Sequence, residues 1–251
     1  EIDISPPIGT HKIGWLKDIV PDEVLDPLFA RIGILEAEDD AVAFVSLDTL
    51  SIRWTQTHGI RERIEDKYGF PGRNVMVAAT HNHAGPAVAN VGDVERDDRY
   101  ARSLTEKIVR CFGEALEGRE KAELAGGRGL EFNLSHNRRI VMRGGTVETH
   151  GTFQDPRALC FEGPIDPEVA VLGARKPGGE LLGCMVNFAA HPTHHGGGNA
   201  FSGGYPGALA REMKEKGCPI TVFLNGACGN LHPSDPVTGQ MPEKEQIGAT
   251  L

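Results

Sequence analysis

Short apolar runs, separated by glycine and proline, set the rhythm of this chain. Residues 32–37 and 41–47 are two such runs, divided by the acidic turn Glu38-Asp39-Asp40, and they predict paired strands. In residues 51–68, Ile52, Ile60 and Ile64 recur at helical spacing, and Gly69 with Pro71 stops the helix. Residues 75–79 are wholly apolar and suit a buried strand. A second helix is predicted over 97–116, strands over 169–174 and 181–190, a third helix over 206–216 and a further strand over 220–224. Strands alternating with helices predict an α/β fold, with a mixed central sheet flanked by helices in layers. No internal boundary is visible, so residues 1–251 read as one catalytic-type α/β domain. It stops inside an apparent helix over 241–251, as a C-terminally truncated chain would.

Composition narrows the partners. A formal charge of -9 argues against nucleic acid or an anionic membrane surface. No run approaches the ~18 apolar residues of a membrane span. The five cysteines are scattered and form no CxxC pair, so they suggest neither a zinc ribbon nor a disulfide framework. A soluble protein is expected, either cytoplasmic or secreted after signal removal. Oligomeric state is not encoded in any recognisable pattern.

Three motifs share one grammar: an apolar strand, then polar residues with glycine or proline. The first is Thr80-His81-Asn82-His83-Ala84-Gly85-Pro86. Residues two apart on an extended chain face the same way, so His81 and His83 can reach one cavity. Neutral imidazole is a common metal ligand. An isolated His-x-His is more often a pair of backbone-bonded loop histidines. The second motif runs from Asn187 to His195 and carries His191, His194 and His195 ahead of Gly196-Gly197-Gly198. His191 falls at the strand end, and His195 reads as an exposed loop residue. The glycines do not close with the Lys-Ser/Thr of a phosphate loop. The third motif runs from Asn225 to Pro233: Gly226 and Gly229 can offer backbone N–H groups to an oxyanion, and His232 can act as general acid or base. Beside these, Arg138 in Ser135-His136-Asn137-Arg138-Arg139 can clamp a carboxylate or oxyanion, although an Arg-Arg pair is usually just solvated. Together the residues point to a metal site at a sheet edge without naming a reaction. Histidine ligands favour zinc, while manganese, nickel and iron suit similar donors.

These motifs, in this order, resemble the neutral/alkaline non-lysosomal ceramidases and their smaller bacterial relatives. Ile2-Asp3-Ile4-Ser5-Pro6-Pro7-Ile8-Gly9 is similar to that family's opening D-I-T-P-P-x-G, and residues 80–86 to its T-H-T-H-S-G-P. Asn137-Arg138 resembles its N-R element, His191-Pro192-Thr193 its later strand-end histidine, and residues 225–233 its N-x-G-D-V-S-P segment. The resemblance implies a zinc-dependent hydrolase of an amide (N-acyl) or related carbonyl bond, acting on a small-molecule or lipid-like N-acyl substrate. It implies zinc on His81 and His191, with His83 and Arg138 at the substrate carbonyl or tetrahedral intermediate. His194 is the expected third ligand within this chain, with His83, His232 and Asp48 as alternatives. His232 stands where the family has its proposed serine, which shifts the expected proton transfer to His232 or His194. The family's remaining ligands, a glutamate and a tyrosine, fall beyond Leu251. The rival reading is a catalytically degenerate relative that binds metal or a small molecule without turnover.

Overall fold

The computed structural model describes residues 1–251. Phe29–Ala37 (β1) and Asp40–Leu47 (β2) form the predicted hairpin, turning at Glu38 and Asp39. Trp54–Tyr68 (α1) leads to Val75–Ala79 (β3), which pairs in parallel with β2 in the register Leu47↔Ala79. Asp98–Glu117 (α2) follows. With the two-residue strand Ile2–Asp3, these strands form a four-stranded sheet in which β1 and β2 are central. Strand periodicity sends Ala30, Ile32, Ala43, Val45 and Leu47 into one core with Ile60 and Ile64 of α1 and Leu104, Ile108 and Phe112 of α2. The helix ends explain their lengths. Asp97 caps α2 by accepting from the Tyr100 N–H, and Gly69 closes α1 in the left-handed region at φ 69°.

A second four-stranded sheet comprises Glu123–Leu130 (β4), Glu168–Arg175 (β5), Leu181–Phe188 (β6) and Thr221–Asn225 (β7). Its order is β7-β6-β5-β4, with β6 and β7 parallel and the other pairs antiparallel. Gly204–Glu215 (α3) and Lys244–Thr250 (α4) cover it: Tyr205, Leu209 and Ile247 pack with Val186, Phe188 and Phe223. The α/β class with mixed sheets is as expected. Its strands divide over two sheets, because β7 meets β2 through a side chain rather than a ladder: the Ser46 hydroxyl donates to the Phe223 carbonyl at 2.6 Å. Asn225 Nδ2 likewise donates to the Thr80 carbonyl at 2.9 Å. The C-terminal ends of both parallel pairs, β2/β3 and β6/β7, are thus drawn together. That is where three of the four motifs lie.

Two regions for which the sequence predicts no element are strands. β4 carries Gly126, Gly127 and Gly129, is exposed along its whole length, and is recruited only by its partner β5. Arg139–Met142 pairs with both Val147–Thr149 and Ala158–Phe161 in a small three-stranded sheet that positions Arg138. No helix is long and apolar enough to cross a membrane.

Candidate metal centre

His81 leaves β3 with φ 66°, in the left-handed region that non-glycine residues seldom occupy. The turn is held from both sides. Asn82 N–H donates to the Thr49 carbonyl at 3.1 Å, and His83 N–H to the Pro192 carbonyl at 3.0 Å. Asn82, fully buried, points the other way: its Nδ2 donates to the Ser202 carbonyl at 2.6 Å and its Oδ1 accepts from the Ala84 N–H at 3.1 Å. His81 and His83 therefore share a cavity because a strained turn folds them together, not because the chain stays extended. His191, buried at the end of β6, is fixed by its N–H donating to the Leu231 carbonyl at 3.1 Å.

All three rings present the same nitrogen inward. His81 Nδ1 donates to the Leu50 carbonyl at 2.9 Å, His191 Nδ1 to the Cys228 carbonyl at 2.9 Å and His83 Nδ1 to the Gly14 carbonyl. A carbonyl only accepts, so each Nδ1 carries the proton and each Nε2 exposes a lone pair. His81 Nε2 lies 2.9 Å from His191 Nε2 and 3.4 Å from His83 Nε2. With both lone pairs facing inward, no hydrogen bond can satisfy these contacts. Burial first, and the Arg138 charge with it, hold all three below the usual imidazole range, and His81 adds its own charge against His83 and His191: His191 is pushed down to about 3, His83 to about 4, and His81 is lowered. Protons therefore do not fill the gap near neutral pH. Ligands at zinc–nitrogen distance in a tetrahedron sit roughly 3.3 Å apart, close to the spacings seen here. The ligand atoms of His81, His83 and His191 all lie within 4.8 Å of one another. The donor set, with its carbonyl-fixed tautomers, fits a divalent metal.

The structure brings His83 into this group and leaves His194 out. His194 Nε2 donates to the Pro242 carbonyl at 2.9 Å, so the ring faces the start of α4 instead of His191. Asp48 is also elsewhere: wholly buried, it accepts from Arg31 Nη1 at 2.8 Å and from the Phe29 N–H at 2.9 Å. His232 uses both ring nitrogens, Nε2 on Thr193 Oγ1 at 2.8 Å and Nδ1 accepting from the Ser234 N–H at 3.0 Å. Burial pushes its pKa down to about 3, so it is neutral. The N–H of Gly226 is spent on the Phe188 carbonyl at 2.9 Å and is not free for an oxyanion. His195 is exposed, as expected.

Arg138 borders the triad, no carboxylate acts on it, and its charge depresses all three histidines. Nη2 donates to the Gly229 carbonyl at 2.7 Å and Nη1 to His150 Nε2 at 3.1 Å, and the buried Nε has no partner. Two residues escaped the sequence reading. His150, at φ 61°, orients Arg138 and stacks edge-on to His232 with ring centroids 5.1 Å apart; an isolated histidine before Gly151 carries no motif. Lys12, 1% exposed, donates from Nζ to the carbonyls of His195 at 2.9 Å, Ala200 at 3.3 Å and Gly198. It thereby anchors the glycine loop after His191.

An α/β fold with a histidine triad where two sheets' strands end defines the class: a layered α/β protein with a candidate metal centre. Comparison with known proteins supplies the particular resemblance. Neutral ceramidase of Pseudomonas aeruginosa is 25% identical over 260 aligned residues, which cover 96% of this chain and 36% of that protein. A crystal structure of neutral ceramidase from Pseudomonas aeruginosa matches with a TM-score of 0.79 at 23% identity, over 98% of this chain and 41% of the other. A ceramidase complexed with C2 matches at 0.80 and 22%, with the same coverage. The resemblance to the neutral ceramidases thus extends over nearly the whole chain, which spans 36% of the length of that curated relative. No protein-family model matches.

Proposed function

We propose that this chain carries the metal-binding site of a zinc-dependent hydrolase that cleaves an amide (N-acyl) or related carbonyl bond. The observation that carries the reading is the convergence of three Nε2 lone pairs, each made an acceptor by a backbone carbonyl behind it. His81, His83 and His191 would hold the ion, so His83 serves as ligand in place of His194. The ion would supply Lewis acidity and acidify water at neutral pH. The rest falls to the chain. Arg138, a cation without a counter-charge, binds the negative charge that develops on the carbonyl oxygen. His150 accepts from its Nη1 and keeps the guanidinium aimed. His232, neutral and doubly engaged, orients Thr193 on the loop after His191 instead of carrying a proton. A lipid-like N-acyl substrate follows from the likeness to neutral ceramidase.

The test is hydrolysis of a panel of N-acyl substrates by zinc-loaded protein and by Arg138→Ala. Loss of an oxyanion donor predicts a fall in kcat of roughly 10²–10³ with zinc content unchanged. Full zinc loading with no turnover on any substrate would overturn the hydrolase reading and leave the rival, a metal-holding pocket without catalysis.

A further inference from the structure

Besides Arg138, a second cation has no counter-charge. Lys12 is 1% exposed, and no carboxylate acts on its ammonium. Taking a charge out of water without a counter-ion is costly, and a methionine would fill the same space without that cost. Three backbone carbonyls hold the charge instead, those of His195, Gly198 and Ala200. Carbonyl oxygens that converge on one point repel each other unless a cation lies between them. Burial brings the Lys12 pKa down to about 8, so the group is charged near neutral pH.

Lys12 joins the two ligating loops. Its backbone is fixed to the first: the two-residue strand Lys12–Ile13 pairs with Gly85–Pro86, Lys12 opposite Pro86, just after His83. Its side chain holds the second, the loop that follows His191. In that loop His195 stands at φ 59°, a left-handed conformation seldom taken by a non-glycine residue, and its carbonyl accepts from Lys12 Nζ. Gly196 packs against His83: a methyl group on it would lie 3.1 Å from His83 Cβ and 3.3 Å from Trp15 Cε3. A methyl group on Gly197 would lie 3.3 Å from Trp15 Cε2. The Trp15 ring, half-exposed, thus lies on the two glycines.

We propose that Lys12, on the reading of His83 as a metal ligand, is a positioning residue of the metal centre: its ammonium gathers the carbonyls of residues 195–200 and seats that loop against His83. Without the charge, carbonyl repulsion opens the loop. Trp15 then loses the surface it lies on, and His83 loses the wall beside its Cβ. His81 and His191 keep their own carbonyl partners, so the site loosens at one ligand.

In the full chain, Trp54→Phe leaves Trp15 as the only tryptophan. Acrylamide quenching of Trp15 in metal-free protein reads the loop, and zinc competition against a chromophoric chelator reads the site. Lys12→Ala and Lys12→Met should both raise quenching and weaken zinc binding about tenfold, the lower end of what losing a ligand's support costs. n-Propylammonium is the fragment that Lys12→Ala removes, and it should restore both readouts in that variant. It should not act on Lys12→Met, whose side chain fills the cage, and neutral 1-propanol should restore neither variant. Ile64→Ala, a cavity in the first core, should lower the urea midpoint and leave quenching and zinc affinity unchanged. Unaltered Trp15 quenching in Lys12→Met, wild-type zinc affinity beside raised quenching, or equal rescue by 1-propanol would overturn the proposal. No zinc in the unsubstituted chain would overturn the metal reading instead, and quenching of the metal-free proteins would still decide whether Lys12 holds the loop.

Discussion

Gly14→Ala tests whether His83 is held in place by backbone packing. Gly14 has φ 130°, and its carbonyl accepts from His83 Nδ1. A methyl group there would lie 2.5 Å from the His83 carbonyl oxygen, 2.6 Å from its Cα and 2.8 Å from its carbonyl carbon. All three are backbone atoms, about 1 Å inside the ~3.5 Å optimum for non-bonded contact, so no side-chain rotation relieves them. Overpacking of this kind costs roughly 1–3 kcal/mol, and forcing a non-glycine residue into that conformation costs about 1–3 kcal/mol more. The relief available is to push the Lys12–Ile13 strand and His83 apart, which moves His83 Nε2 away from its partners and breaks its carbonyl support. Loss of such support typically lowers metal affinity about 10–100-fold. Gly9→Ala is the control: φ is 94°, but nothing lies within 4 Å, so it shares the conformational strain without the clash. Urea denaturation and zinc competition against a chromophoric chelator read the two effects separately. Both variants should lose stability, and only Gly14→Ala should lose zinc affinity. Wild-type zinc affinity in Gly14→Ala would refute the placement of His83.

Acid should destabilise the metal-free protein. His191 and His232 are buried with pKa values pushed down to about 3, against ~6.5 in the unfolded chain. Between those values the unfolded state binds protons that the folded state does not. Stability is therefore fully present above pH ~6.5 and falls on acidification, by up to about 1.4 kcal/mol per pH unit for each histidine; a urea midpoint that stays flat from pH 7 to 4.5 would contradict this. Arg31→Met strands the buried Asp48 carboxyl, which burial already raises, and should cost about 3–5 kcal/mol; Asp48→Leu added to it should recover much of the loss in the same denaturation assay. Asn82→Ala leaves the Ser202 carbonyl and Ala84 N–H without partners between His81 and His83. It should cost roughly 1–3 kcal/mol and weaken zinc binding, as measured by the same chelator competition.

Strand and helix placement was largely legible because each apolar run was bounded by turn residues. Residues 75–79 are a strand to the residue, and the helix predicted over 97–116 is shifted by one position. Helix starts were less readable: α1 begins at Trp54 rather than Ser51, because the Gln56 side chain reaches back to accept from the Arg53 N–H at 3.1 Å and closes the first turn there. β4 was invisible, since its glycines and full exposure leave no periodicity and only the β5 ladder orders it. At the site, His81 and His191 stood out by position after strands. The choice between His83 and His194 could not be read from spacing. It depends on tertiary carbonyls, those of Gly14 and Pro242, that fix which way each ring turns. His150 and Lys12 act through long-range contacts to Arg138 and to the glycine loop, and local sequence carries no trace of such contacts.

Three converging imidazole lone pairs should hold one metal ion. Elemental analysis of the purified, untagged protein after zinc addition and gel filtration tests it most directly, beside His81→Ala/His191→Ala. About one zinc per chain is expected for the unsubstituted protein and none retained by the double variant. No zinc in either, with both proteins folded by circular dichroism, would contradict it.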